Sequence, residues 1–324
     1  MKRVLISGGA GYIGSVLVKL LLDEGYKVRV IDILRFGGEA IVELLNNDNF
    51  EFVKGDIRKE EDLRKALKDV DYAVNLAAIV GDPACAKEPD LARSTNVDGA
   101  RLFYTLANEL GVKKFIMAST CSNYGKMDDP NAYVNEDSKL APVSLYAETK
   151  VEVEKYLLSQ PKYNVCKPTC LRFSTVYGLS PRIRFDLTVN EFTKELAMGR
   201  ELVVFGEQFW RPYCHVVDLC RGVIAVLKAD DELVAYDVFN VGCTDENYTK
   251  QMIVDEIRKQ LPDAKVKYVQ KNEDPRDYRV SFDKIWQRLG FKITKTVPDG
   301  IRQIITVVQN GFLNDPDEKK YKNI

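Results

Sequence analysis

Val4-Leu5-Ile6-Ser7-Gly8-Gly9-Ala10-Gly11-Tyr12-Ile13-Gly14, then leucines at 17, 20 and 21, Gly25, and Val28-Arg29-Val30-Ile31-Asp32, is the stretch that decides the fold. A short apolar run enters a glycine-rich turn and continues at helical spacing, a glycine stands where that helix should stop, and a second apolar run ends in an acid. Glycines at 8, 11 and 14 let the backbone turn tightly and bring the helix start against a pyrophosphate. The first helical N–H groups and the helix dipole then stabilise the anion, with Tyr12 and Ile13 inside the same turn. Asp32 stands near the roughly 20-residue offset of an acid that accepts both adenosine ribose hydroxyls and repels a 2′-phosphate. Strand, turn, helix and acid agree, so a dinucleotide is expected, tightly held NAD in preference to NADP. Arg35, just beyond Asp32, could contact a 2′-phosphate.

Working outward, 324 residues with 45% hydrophobic composition suffice for about two domains with a sizeable core. The 47 basic and 48 acidic residues balance, so nucleic acid is not an expected partner. No apolar run approaches the ~18 residues of a membrane span, and no signal peptide precedes Val4, so a cytoplasmic protein is expected. Seven cysteines scattered through apolar segments suit a reducing compartment. Cys166 and Cys170 are spaced C-x-x-x-C, but with His215 the single histidine and no second cysteine pair, no metal site is expected.

Strand and helix patterns alternate through the first half. A polar helix near Glu39–Asn46 precedes the strand Glu51-Phe52-Val53, after which Asp56 and Ile57 are placed to flank an adenine. For Asp56 the reading as N-cap of a helix over Lys59–Leu67 stands beside that one. The strand Asp71–Leu76 runs into Ala77-Ala78, whose small size lets a cofactor pass closely, and Ile79-Val80-Gly81-Asp82-Pro83 should lie near the nicotinamide ribose. A helix over about Asp90–Leu110 carries Asn96, counted with the cofactor-binding candidates, which either bridges helix and sheet or faces solvent. Lys114–Ala118 is a buried-strand pattern leading into Ser119-Thr120-Cys121-Ser122, a polar excursion over Asp128–Ser138, and a helix over Ser144–Leu158. With the strand in 167–178, the pattern predicts an α/β fold, a doubly wound parallel sheet of the Rossmann type. Residues 1–178 plus about 213–241 would bind the dinucleotide, and about 179–212 and 242–324 would form a smaller, threaded substrate lobe. The tail after Asn314, rich in charge, is expected to be disordered.

Tyr146-Ala147-Glu148-Thr149-Lys150 sets a phenol and an ammonium four residues apart on one helix face. Thr120, ending the preceding strand, can reach the same point with a hydroxyl. Oxidising an alcohol needs a base for the O–H proton while hydride leaves for nicotinamide. A phenol of pKa ~10 must lose about 3 units, or about 4 kcal/mol of differential stabilisation, to serve at neutral pH. The adjacent Lys150 and the positive nicotinamide ring would supply it.

These residues resemble the extended short-chain dehydrogenases/reductases, and among them the nucleotide-sugar epimerases and dehydratases. The likeness is carried by Gly-Gly-Ala-Gly-Tyr-Ile-Gly (8–14), Asn-Leu-Ala-Ala (75–78), Tyr-x-x-x-Lys (146–150), Leu-Arg-Phe-Ser-Thr-Val-Tyr-Gly (171–178) and Arg-x-Tyr-x-His-Val-x-Asp (211–218). It implies Tyr146 as base, Lys150 on the nicotinamide ribose, Thr120 on the sugar hydroxyl, and Arg211 and Arg276 on the substrate diphosphate. Similar dehydratases carry Asp-Glu after the threonine, where Cys121 and Ser122 stand here, which disfavours dehydration. Thr175 replaces an asparagine that touches the substrate phosphates, so recognition is expected to shift toward Arg182 or Arg184. Val80, Gly81 and Ser122 complete the expected substrate contacts. The stretches from Thr175 to Leu187 and from Asp274 to Ser281 look similar to a branch that includes nucleotide-heptose C4 dehydrogenases of capsule assembly.

The resemblance thus implies NAD-dependent oxidation at C4 of a nucleotide-diphosphate sugar, as a 4-epimerase or C4 dehydrogenase. Alternatives are a 4-ketoreductase or 4,6-dehydratase, and more remotely an NAD-sensing binding protein. It also implies a homodimer through a four-helix interface, with Leu102, Leu106 and Tyr156 as contacts.

Overall fold

The structure is a computed structural model that describes residues 1–127, 129, 132–270 and 276–323. Asp128, Pro130 and Asn131 of the polar excursion, and Asp274 and Pro275 of the quoted motif, lie outside the described residues.

Strand β1 (Arg3–Ser7) passes through the glycine turn into helix α1 (Tyr12–Asp23) and returns as β2 (Lys27–Asp32), then β3 (Phe50–Lys54). After α2 (Glu60–Leu67) come β4 (Tyr72–Asn75), the short helices α3 (Asp82–Lys87) and α4 (Pro89–Arg93), and α5 (Ala100–Glu109). Then follow β5 (Lys114–Thr120), α6 (Leu145–Leu158) and β6 (Lys167–Phe173). A strand met much later, Asp237–Val241, pairs with β6 and completes a seven-stranded sheet. Its order from that late strand is β6, β5, β4, β1, β2, β3, with every pair parallel. Chain direction reverses its progress across the sheet between β1 and β4, so a crevice opens beyond their carboxyl ends.

The strands read as unbroken apolar runs because both faces are covered. Val4, Ile6, Val28 and Val30 pack on one side with α1 and with the helix Val216–Lys228. Leu5, Ile31, Ala73 and Phe115 pack on the other with α2, α5 and α6. Leu106, expected at a subunit interface, is 2% exposed and belongs to this second core, whereas Leu102 and Tyr156 are only partly buried beside it.

The smaller lobe has its own core around Tyr177, Val189, Tyr213, Ile253 and Ile301. Beside it a three-stranded sheet sets Trp210–His215 between Thr175–Tyr177 and Asn247–Thr249, so strand residues 175–177 and 213–215, expected with the dinucleotide-binding part, pair with the smaller lobe; a two-stranded sheet joins Leu202–Phe205 and Val266–Val269. The excursion after β5 is tied to this lobe by the backbone: Met127 N–H donates to the Asp277 carbonyl at 3.0 Å, and Val134 N–H to that of Arg279 at 2.9 Å.

The expected helix over Asp90–Leu110 is one helical run widened in the middle, since Ser94–Gly99 forms π turns between α4 and α5. The tail corrects the expectation of disorder. Asp317 pairs with Lys194 at 2.6 Å and Arg200 at 2.5 Å, and Phe185 N–H donates to the Tyr321 carbonyl at 2.8 Å while the two rings meet edge to face. Charged residues there face basic partners on the lobe, so polar composition and order coexist.

Candidate active site

Beyond β1 and β4 lies a cleft of about 840 Å³. Its floor has no room for side chains. Gly8 has φ +74°, and a Cβ there would stand 2.9 Å from the Ala77 nitrogen, while one on Gly14 would stand 2.2 Å from the Gly8 carbonyl oxygen. Ser7 fixes this junction by donating to Asn75 Oδ1 at 2.7 Å and accepting from the Ala77 N–H at 3.3 Å. At the end of β2, the Asp32 carboxylate accepts from Ala10 N–H at 3.1 Å and Leu34 N–H at 2.8 Å. Burial raises its pKa, and those two N–H groups oppose the shift. Asp56 is not a helix cap: α2 starts at Glu60 with Lys59 before it, and Asp56 instead binds the Arg58 guanidinium, which lowers its pKa. An open glycine floor, a helix N-terminus and an acid beyond the next strand fit a dinucleotide such as NAD.

The second half of the cleft is built by β5 and α6. Ser144 accepts from Ala147 N–H at 3.3 Å and starts α6, which places Tyr146 and Lys150 on the side facing the cleft. Thr120 ends β5, and its Oγ1 accepts from Ser122 N–H at 3.1 Å. Burial dominates both titrating groups. The Tyr146 phenol is pushed well above its ordinary value, and the cation opposing this is Arg184. Lys150 is pulled down to about 8 by burial. Its ammonium lies 5.8 Å from the Tyr146 ring centre and makes no hydrogen bond among the described residues. With a value near 8 the ammonium remains mostly charged at neutral pH, beside the phenol it is expected to act on.

Cations from the smaller lobe form the far wall. Arg211 lies 5.4 Å from the Tyr278 ring centre, and Arg276 pairs with Asp82 at 2.8 Å across the mouth. Arg184 binds Asp186 through two bonds of 2.9 Å. Arg35, considered for a 2′-phosphate, is paired with Glu88 at 2.5 Å.

Residues 4–242 match the model of the NAD dependent epimerase/dehydratase family. The chain belongs to that family. It is similar to the UDP-glucose 4-epimerase of Lactobacillus helveticus, 30% identical over 79% of this chain and 81% of the other. The Thermotoga maritima UDP-glucose 4-epimerase, solved with UDP-glucose, is 26% identical with a TM-score of 0.84, covering 96% of this chain and all of that one. The Bacillus cereus UDP-glucuronic acid 4-epimerase, solved with UDP-glucuronic acid and NAD, is 25% identical with a TM-score of 0.83, covering 95% and 99%. The two solved structures thus share this chain's fold over nearly its whole length.

For a family member, the placement of the remaining candidates is informative. Gly8, Gly11, Tyr12, Ile13, Gly14, Asp32, Asp56, Ile57, Leu76, Ala77 and Ala78 line the cleft, as do Val80, Gly81, Ser122, Thr175, Arg182, Arg184, Arg211 and Arg276. Asn96 does not; it is 1% exposed and spans the Ile79 backbone, accepting from its N–H at 2.8 Å and donating to its carbonyl at 3.0 Å. The π turns carry it to that loop, so it braces the cleft from behind. Tyr12 turns its hydroxyl away to the Gly178 carbonyl at 2.5 Å, joining the glycine turn to the smaller lobe. Cys121 points inward, donating to the Arg172 carbonyl, and burial suppresses its ionisation. Asp186, Thr188, Lys250 and Asn323 also line the cleft and escaped the sequence reading. They come from a loop, two helix starts and the tail, none of which carries a periodic signal.

Proposed function

We propose that this protein oxidises the C4 hydroxyl of a nucleotide-diphosphate sugar while holding NAD tightly, acting as a sugar 4-epimerase or C4 dehydrogenase in surface-polysaccharide or unusual-sugar biosynthesis. The single observation that carries the reading is that Thr120, Tyr146 and Lys150 open onto the same cleft as the glycine turn and Asp32. NAD, when bound, supplies the acceptor for the C4 hydride. Gly8, Gly11, Ile13 and Gly14 would hold its pyrophosphate, Asp32 the adenosine ribose, and Lys150 the nicotinamide ribose. Tyr146 Oη takes the sugar hydroxyl proton, and Thr120 Oγ1, oriented by Ser122 N–H, fixes that hydroxyl. Arg211 and Arg276 receive the substrate diphosphate, for which Arg276 must leave Asp82.

Dehydration is disfavoured by the residues that follow Thr120. An inward-pointing, un-ionised Cys121 and the hydroxyl of Ser122 offer no acid and base for removing water. We also propose a homodimer in which the outer strip of α5 and α6 packs on its copy. Leu102, Thr105 and Tyr156 form its centre, edged by the Arg101–Glu152 pair at 2.9 Å. The direct test is to incubate the purified protein with UDP-, dTDP-, GDP- and CDP-linked sugars and follow products by NMR. A 4-epimer or 4-ketosugar is expected from at least one of them, and no conversion of any would refute the reading.

A further inference from the structure

Arg182 stands in a different situation from the other cleft arginines. It is 8% exposed, yet its Nε has no hydrogen-bond partner among the described residues. Its one side-chain hydrogen bond is a long one, Nη2 to the Lys322 carbonyl at 3.3 Å. No carboxylate lies within ion-pair distance of it among the described residues, although Arg184, two residues on, is fully matched by Asp186. A buried guanidinium without a counter-anion is costly to keep.

Its surroundings say where the missing anion belongs. The guanidinium sits 4.1 Å from the ring centre of Phe36, on the loop that leaves β2, and interacts electrostatically with Asp32. Asp32 is not in ion-pair contact with it: the carboxylate accepts from Ala10 and Leu34 N–H groups and keeps its remaining acceptor sites for the adenosine ribose. Arg182 therefore reaches from the smaller lobe to the adenosine side of the cleft. The tail holds it there: Lys322 accepts from it, Asn323 N–H donates to Asp186 at 3.0 Å, and Tyr321 anchors Phe185.

We propose that Arg182 is a cofactor-binding residue that donates from the smaller lobe to the dinucleotide pyrophosphate beside the adenosine ribose, with residues 321–323 holding it in place. The inference rests on the reading of the cleft as a dinucleotide site and is independent of the sugar chemistry. A cofactor held this way would be gripped by both lobes, and its release would require the tail-backed loop to let go.

The test compares wild type, Arg182→Gln and Arg182→Lys, stripped of cofactor, using ADP, adenosine and 2′,5′-ADP as probes in ligand-observed NMR and calorimetry. Release of bound NAD is followed separately by fluorescence. Arg182→Gln should weaken ADP by about ten- to a hundredfold and speed NAD release to match, while adenosine changes by less than about twofold. Arg182→Lys should fall between, keeping charge without the two-pronged geometry. ADP affinity within about twofold of wild type in Arg182→Gln, an equal loss for adenosine, or a loss confined to 2′,5′-ADP would each overturn the proposal. Failure of wild type to bind ADP or NAD at all would instead defeat the reading of the cleft.

Discussion

Tyr146 and Lys150 share a buried environment that favours the neutral form of each, one pushed up and the other down to about 8. The phenol is thereby held protonated, and Lys150 together with the positive charge of an oxidised nicotinamide would bring it into range. Tyr146→Phe should retain cofactor and lower turnover by about 10²–10⁴-fold in steady-state assays. Lys150 has a second, thermodynamic consequence. Its folded pKa lies below its unfolded one, so between about pH 8 and 10 the unfolded chain binds more protons, and this residue makes stability rise with pH. Urea titrations of ligand-free wild type and Lys150→Met at both ends of that window should show the wild type gaining on the variant as pH rises. A constant difference would contradict the burial of Lys150.

Elements meet the cleft through a small number of buried polar joints. One is Arg172 on β6 with Glu154 on α6, both almost fully buried, extended by Ser119 donating to Glu154 at 2.9 Å and Arg172 donating to Tyr124 at 2.9 Å. It fixes the helix that carries Tyr146 against the strand that carries Thr120. Arg172→Met should cost about 3–5 kcal/mol in chemical denaturation, because Glu154 is left buried without its counter-ion; the double variant Arg172→Met/Glu154→Leu should recover much of that. At the other joint, Gly14→Ala would place a Cβ within 2.2 Å of the Gly8 carbonyl and should abolish cofactor binding measured by fluorescence titration. The sheet was legible because parallel strands buried on two faces must be continuously apolar, and the Tyr146 helix because Ser144 marks its start. The π turns at Asn96 were not legible: they answer to the carbonyl and N–H of Ile79, seventeen positions away, and leave no local pattern.

Across the whole molecule, the two lobes are joined around the cleft by Tyr12 to Gly178, by Asp82 to Arg276, and by the tail. Lys194, 2% exposed, takes Glu195 and Asp317 as its counter-ions, so the tail neutralises a charge buried in the smaller lobe. Ending the chain after Asn314 should lower the melting temperature and speed cofactor loss without changing the helix content seen by circular dichroism. Composition alone misjudged this segment because a few ion pairs and one aromatic contact, not a hydrophobic run, hold it. The C-terminal lobe was foreseeable only in outline, since its short strands pair across long separations, as Trp210–His215 does with Thr175–Tyr177 and Asn247–Thr249.

On the proposed mechanism Tyr146, in its phenolate form, takes the proton of a sugar alcohol whose hydride passes to NAD in the same cleft. Rapid mixing of the NAD-loaded protein with a panel of nucleotide-diphosphate sugars, followed at the near-ultraviolet band of reduced nicotinamide, tests it most directly. At least one sugar should raise that band within a single turnover in wild type and fail to do so in Tyr146→Phe that still holds NAD. An equal rise in both proteins, or none with any sugar, would contradict it.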